Sequence, residues 1–447
     1  MAQLWKKNGL KTDRSVNQYI ISEHCVEDTI LLPYDIIASI AHAKMLSKVG
    51  LLKKKECQDL ISGLEEIADL YHKKRFLLKQ SDEDCHTAIE NFLVKKLGDI
   101  GKKIHMGRSR NDQILVAMRL LSKAELFRVQ KLVLDLAKVI LSFAKKYEFI
   151  PMPGYTHTQQ AMPSSVGQWA ASFVESLLDD YKALEAAVIQ NDQNPLGSAA
   201  GFGTGLPIDR EFTTKELKFS RTQINTLYCQ SSKGKIESFT LGALIQVMLT
   251  LGKIANDMVW FTTKEFDFFD VDSSLTTGSS IMPQKKNLDI MEVLRANVAI
   301  VISYQSQIYM VGHNLISGYN KDTKITKHAM IESLKITKNS LQIVKTLFAK
   351  MSPKIDKLKK SFSTDIFATD MVNELVKKGL PFRDAYKQVG ENLEAIQIPD
   401  INTNLKTKTH IGAPGNLMLN ADLKMIERLS KSLSHDVTSY AFTPFEI

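Results

Sequence analysis

The chain has 447 residues and a formal net charge of +9, from 58 Lys and Arg set against 49 Asp and Glu. Its 44% hydrophobic and 24% charged content is ordinary for a globular enzyme, and the length suggests about three domains. The lysines are dispersed over helical faces, and there is no zinc-finger spacing or aromatic-studded strand set, so nucleic acid is not an expected partner.

Cys25, Cys57, Cys85 and Cys229 show no paired spacing, which points away from a disulfide framework or a zinc site. The first residues lack the apolar core of a secretion signal, and no unbroken apolar run reaches the roughly 18 to 20 residues of a membrane span. A cytoplasmic protein with no membrane partner is expected.

Residues 1–107 read as an N-terminal helical domain. Tyr34 to Gly50 has apolar residues at helical spacing and stops at a glycine, and residues 56–72 repeat the pattern. Asp84 to Leu97 is a third helix. On it His86 and Glu90 are four apart, which by itself reads as a surface pair. The stretch Gly107-Arg108-Ser109-Arg110-Asn111-Asp112-Gln113 then interrupts the pattern.

Residues 108–359 read as the central domain. Its first helix, 114–148, is apolar on several faces (Leu115, Met118, Leu121, Leu132, Leu136, Val139, Phe143), so other helices must surround it. Long helices over 164–193, 235–265 and 288–316 follow, with Pro163 suited to a first turn. At roughly 1.5 Å per residue these run about 40 to 50 Å. Their apolar faces exceed what one chain buries, so oligomerisation is expected. Strand-like alternation is scarce, and the expected class is all-α. Polar motifs occupy the joining loops: Gly154 to Gln159, Asn194 to Gly201, Thr276 to Asn287 and Ser317 to Asp322. Residues 360–447 read as a small C-terminal helical domain.

Thr276 to Glu292 has the most chemistry to offer. Ser279 and Ser280 sit in a glycine-preceded loop, with Lys285 near enough in sequence to lower a hydroxyl pKa. No Gly-x-Ser-x-Gly elbow and no Walker pattern is present, which argues against a common serine hydrolase or a P-loop enzyme. A serine, a lysine and an asparagine around a carboxylate would suit proton abstraction beside it, because cations and amides must hold the developing charge. The same Gly-Ser-Ser also reads as loop filler.

Five separated blocks, in order along the chain, resemble those of the argininosuccinate lyases in the fumarase/aspartase superfamily. They are GRSRNDQ at 107–113, GYTH at 154–157, NPLGSAAG at 194–201, GSSIMPQKKN at 278–287 and GYNKD at 318–322. Leu4-Trp5 and residues 34–46 agree as well. The resemblance implies three helical domains, with a long central bundle that builds a homotetramer core and composite sites drawn from three chains. It implies elimination of argininosuccinate to arginine and fumarate, with no metal or cofactor.

By the same resemblance Ser279 is the general base, and Lys285 and Asn287 hold the substrate carboxylate and its aci-carboxylate intermediate. His157 acts at the departing nitrogen, partnered by Glu292. Ser109, Arg110, Asn111, Thr156, Tyr319, Lys327, His86 and Thr87 match substrate-binding positions. Arg108 is open to a structural role at the start of the long helix. Four departures stand out. Leu288 replaces a usual proline, residues 230–235 lack an acid-arginine-acid run, and Lys324 stands where a glutamine is common. His24 falls near a usual binding serine, and Asp28 is a looser match. A sister fumarate-yielding lyase and a non-catalytic, crystallin-like protein are the alternatives.

Overall fold

The computed structural model describes residues 25–79, 82 and 84–440. Leu4, Trp5 and His24 lie outside them. Nine helices carry the architecture: α1 (Cys25–Lys48), α2 (Lys54–His72), α3 (Cys85–Leu97), α4 (Arg110–Lys146), α5 (Val166–Asn191), α6 (Lys235–Phe261), α7 (Asp289–Gly312), α8 (Thr326–Ala349) and α9 (Leu419–Tyr440). The class is all-α. The described strands form only two-stranded pairs, of which β1 (Pro151–Thr156) and β2 (Gln159–Ser165) matter most here.

The start of α4 shows how the sequence sets these boundaries. Ser109 is the N-cap, and its hydroxyl accepts from the Asn111 amide at 3.3 Å. The Asp112 carboxylate accepts from the Ser109 amide at 2.9 Å, closing a capping box. Lys145 and Lys146 lie in the last turn, where the helix dipole favours cations. Between these ends, residues such as Leu126, Val133, Leu136 and Ile140 are wholly buried. Each such side chain contributes roughly 1.5 to 3 kcal/mol of transfer free energy.

Three local expectations are corrected. Pro163 does not open α5. It pairs with Pro153 in the β1–β2 hairpin, and α5 begins after Ser165, whose hydroxyl accepts from the Gln168 amide at 3.0 Å. Gly154 to Gln159 is accordingly a hairpin and not a loop. The first helix also runs back through Pro33 to Cys25, beyond the Tyr34 start that its apolar spacing suggested.

Helices α4 to α8 form the bundle, with α4 against α5, α8 and α9, and α6 against α5, α7 and α8. Helix α1 packs against α4, and α2 and α3 pack on α1 and on each other. The close approach of α5 to the chain leaving α4 requires Gly167, since a Cβ there would lie 2.5 Å from Glu148 Cα. Helices α1 and α6 are long and apolar enough to cross a membrane by composition, yet both are mostly buried against the rest of the protein. A separate, smaller core joins Phe362, Ile366, Phe367, Val372, Ala385, Val389 and Ile396. After it α9 returns to the main core through Leu419, Ile426 and Leu433.

The bundle has two chemically different ends. At one, here called the lower end, an aromatic cluster ties four helices together. Trp169 stacks on Phe348 at 5.9 Å and lies 5.2 Å from Phe269 and 6.0 Å from Phe261, while Phe143 meets Phe348 edge-on at 5.3 Å. At the other, the upper end, buried ion pairs do the joining, with Arg119 to Glu237 at 3.4 Å and Lys123 to Asp192 at 2.7 Å.

Candidate active site

The upper end gathers the start of α4, the start of α3, part of α1, and the turns at 194–201, 230–234 and 318–327. Arg110 donates through Nε and Nη2 to Asp84 Oδ2 at 3.0 and 2.5 Å, and Nη2 also reaches Thr87 Oγ1 at 3.2 Å. Asp84 is the N-cap of α3, accepting from the Thr87 amide and hydroxyl, each at 2.9 Å. Burial would raise the Asp84 pKa, but His86, Arg110 and Thr87 outweigh it and hold the carboxyl below its usual range. The fork-shaped guanidinium is thereby held in one orientation.

His86 is buried and is not half of a surface pair with Glu90. Its Nδ1 lies 2.6 Å from Asp35 Oδ2 on α1. Burial disfavours the charged imidazole, yet Asp35 more than compensates and shifts the pKa upward. Among the described residues the His86 Nε2 has no partner. Cys85 Sγ completes a buried group with Asp35 and His86 whose ligand-type atoms lie within 4.8 Å of one another. Lys327 is likewise buried and donates to Asp28 Oδ2 at 3.0 Å. Arg108 is structural: it donates to Ser39 Oγ at 3.0 Å and to the Ile104 carbonyl at 2.7 Å.

Asp112 does more than cap α4. Its Oδ2 accepts from the Gly197 and Ala199 amides, both at 3.0 Å, and so pins the 194–201 turn to the helix start. Burial pushes its carboxyl up to about 6, against the pull of the Ser109 amide, Arg108 and these two amides.

Tyr319 lies beyond α7. Its pKa is raised by burial, with Arg110 acting in the opposite sense. Lys233 Nζ stands 5.5 Å above its ring. Asp35, Asp84, Asp112 and Lys233 were not singled out from the sequence. Asp84, three residues before Thr87, and Asp112, three after Ser109, have local signals there, as capping positions.

The lower end carries His157, Ser279, Lys285 and Glu292. His157 and Thr158 form the two-residue tip of the β1–β2 hairpin, both with positive φ (52° and 63°), the geometry of a type I′ turn. Neither is glycine, so the tip holds backbone strain. Thr156, His157 and Thr158 are exposed. The hairpin is anchored from below, where Tyr155 meets Phe266 at 5.9 Å and Gln160 Nε2 donates to the Ser361 carbonyl at 2.6 Å.

The 278–286 loop is closed by Thr277 and Asn287, which exchange backbone hydrogen bonds of 3.0 and 2.8 Å. Thr277 Oγ1 donates to Asp289 Oδ2 at 2.7 Å, and Asn287 Nδ2 to the Gly278 carbonyl at 3.3 Å. Ser279 Oγ accepts from the Ile281 and Met282 amides, at 3.3 and 3.1 Å. Leu288 caps the helix without a side-chain bond, and Glu292 is exposed in the first turn of α7. Lys285 is also exposed. Within one chain no hydrogen bond or ion pair joins His157 to Glu292 among the described residues.

The two ends are far apart. Helix α4 has 37 residues, with Arg110 at its start and the His157 hairpin beyond its finish. At 1.5 Å per residue that is about 55 Å. Helix α7 separates the Ser279 loop from Tyr319 in the same way.

Comparison with known proteins gives first the class: residues 6–303 match the model of the lyase family. Over 389 residues the chain is 43% identical to an argininosuccinate lyase of Thermotoga neapolitana, covering 87% of this chain and 98% of that one. It is 40% identical to an argininosuccinate lyase of Phocaeicola vulgatus over 418 residues, 93% of each chain. Among solved structures an EDDS lyase in complex with formate shares the fold, with a TM-score of 0.79 at 20% identity over 97% of this chain and 94% of that one. The chain belongs to the lyase family, and within it to the argininosuccinate lyases.

Proposed function

We propose that this carbon–nitrogen lyase splits argininosuccinate reversibly into arginine and fumarate, with Ser279 as the base. Ser279 removes the proton from the carbon beside a succinyl carboxylate, and the electron pair is held as an aci-carboxylate. It then forms the carbon–carbon double bond as the C–N bond breaks, and the departing guanidinium nitrogen receives a proton. The observation that carries this reading is the pair of amides, Ile281 and Met282, aimed at Ser279 Oγ. Fixed donors of that kind stabilise negative charge on the oxygen and so favour its acting as a base. Lys285 and Asn287 on the same loop would hold the doubly charged carboxylate, and His157, partnered by Glu292, would serve the leaving nitrogen. Ser109, Arg110, Asn111, Thr156, Tyr319, Lys327, His86 and Thr87 would bind the rest of the substrate.

Because about 55 Å of helix separates Arg110 from His157, one chain cannot supply both to one substrate. The proposed assembly is a homotetramer in which two-fold axes set one chain's upper end beside the lower ends of others. Exposed apolar residues along α6 and α7 support such contacts, among them Trp260, Val293, Tyr309 and Met310. Free thiols at Cys57, Cys85 and Cys229 suit the cytoplasm.

The test is fumarate absorbance from purified protein given argininosuccinate, adenylosuccinate, aspartate or malate, with Ser279→Ala in parallel. Fumarate should appear from argininosuccinate alone, and the variant should fold and assemble yet lose nearly all turnover. Normal turnover by Ser279→Ala would remove this serine as the base.

A further inference from the structure

Lys233 lies in the turn that leads into α6, next to a glycine whose φ of 85° turns the chain into the helix. The Gly318 amide donates to Ser231 Oγ at 3.2 Å, which fixes this turn against the one carrying Tyr319. The Lys233 ammonium stands over the Tyr319 ring at 5.5 Å. Glu237, Lys327 and Lys324 are all near enough for their charges to act on it.

Three neighbouring cations are matched. Arg110 is paired with Asp84, Lys327 with Asp28, and Arg119 with Glu237. Glu237 also accepts from the Gly234 amide at 2.7 Å. Among the described residues Lys233 has no carboxylate within ion-pair distance, although its side chain is only partly exposed. A half-buried ammonium on an aromatic face, beside other cations, is costly unless a ligand supplies negative charge.

Argininosuccinate has two carboxylates on its succinyl half, which must lie beside Ser279, Lys285 and Asn287. Its remaining carboxylate is at the far end of the arginine chain, beyond the guanidinium and three methylenes, and so requires a cation of its own. We propose that Lys233 is a specificity residue of the substrate site, its ammonium binding the α-carboxylate of the arginine half. The inference rests on the reaction proposed above.

A pH signature follows. Burial, opposed by Glu237 and reinforced by Lys327 and Lys324, brings the Lys233 pKa down to about 8. The other groups facing it are the Tyr319 phenol, itself shifted upward by burial, the Arg119–Glu237 pair and the Lys327–Asp28 pair. As pH rises through about 8 the free enzyme loses the Lys233 charge, and the substrate carboxylate loses its partner. KM for argininosuccinate should therefore climb with pH while kcat at saturation does not.

The test compares wild type, Lys233→Met and Lys233→Arg from about pH 7 to about pH 9.5, a range that brackets that titration. Lys233→Met should raise KM for argininosuccinate, and weaken inhibition by arginine, about tenfold or more, while leaving fumarate binding and kcat within about twofold. Lys233→Arg should keep a low KM at the alkaline end, where the wild type loses it, because guanidinium stays charged. An unchanged KM in Lys233→Met, or equal weakening of arginine and fumarate, overturns this role alone. A wild type that releases no fumarate from argininosuccinate overturns the reaction and this role together.

Discussion

The upper and lower ends of the bundle solve opposite problems. At the upper end Arg110, His86, Lys327 and Asp112 are each held by a named partner, most of them buried, so their geometry exists before any ligand arrives. At the lower end His157, Lys285 and Glu292 are exposed and carried on a strained tip, a closed loop and a first helical turn. The polar network of the upper end is built within one chain, whereas these lower-end groups stand exposed in it. Rigidly partnered and exposed polar groups are thus placed on different ends of the same helices, and in the proposed reaction neither end makes a site alone.

Mixing variants is the sharpest way to break that comparison. Ser279→Ala and Arg110→Met should each reduce turnover by about 10²-fold or more. Co-refolded, the two inactive proteins should regain measurable fumarate release, because some sites then draw an intact serine loop from one chain and an intact arginine from another. No recovery, with hetero-oligomers confirmed by size, would mean that each chain completes its own site. Next in size, Met310→Asp and Val293→Asp should yield smaller, inactive species on a sizing column, while far-UV circular dichroism stays helical.

Asp112→Ala tests the upper end. It leaves the Ser109, Gly197 and Ala199 amides without their acceptor, for a loss of about 2 to 3 kcal/mol in denaturant unfolding. The pH dependence has a definite sign. The folded carboxyl sits at about 6, above its ordinary 3.8, so its contribution is full below about 4 and is lost as pH rises through about 6. Asp112→Asn should flatten that part of the stability profile. The smallest effect is expected at the lower end, where Thr158→Gly should stabilise the fold by about 1 kcal/mol by relieving the positive φ. A loss of stability there would show the tip to be unstrained.

The sequence announced these two ends unequally. Long runs of helical periodicity made α4 to α7 legible, because a core-facing stripe is a local pattern. No local boundary sets helix α8 apart, and the hairpin carrying His157 reads as a loop because Pro153 and Pro163 mask a strand pair. The polar loop motifs are readable through their resemblance to known lyases, but the side chains that hold them are not. Asp35 meets His86 across 51 positions, and Asp28 meets Lys327 across 299. No local pattern marks a contact that only tertiary packing creates.

The return of α9 to the main core has its own consequence. The small core around Phe362 and Phe367 is held by the chain at both ends, by α8 before it and α9 after it. It behaves as an insertion rather than an appendage. A protease cutting between Ala368 and Asn416 would leave two fragments that stay together, with α9 still seated on α4, and separation would require denaturant.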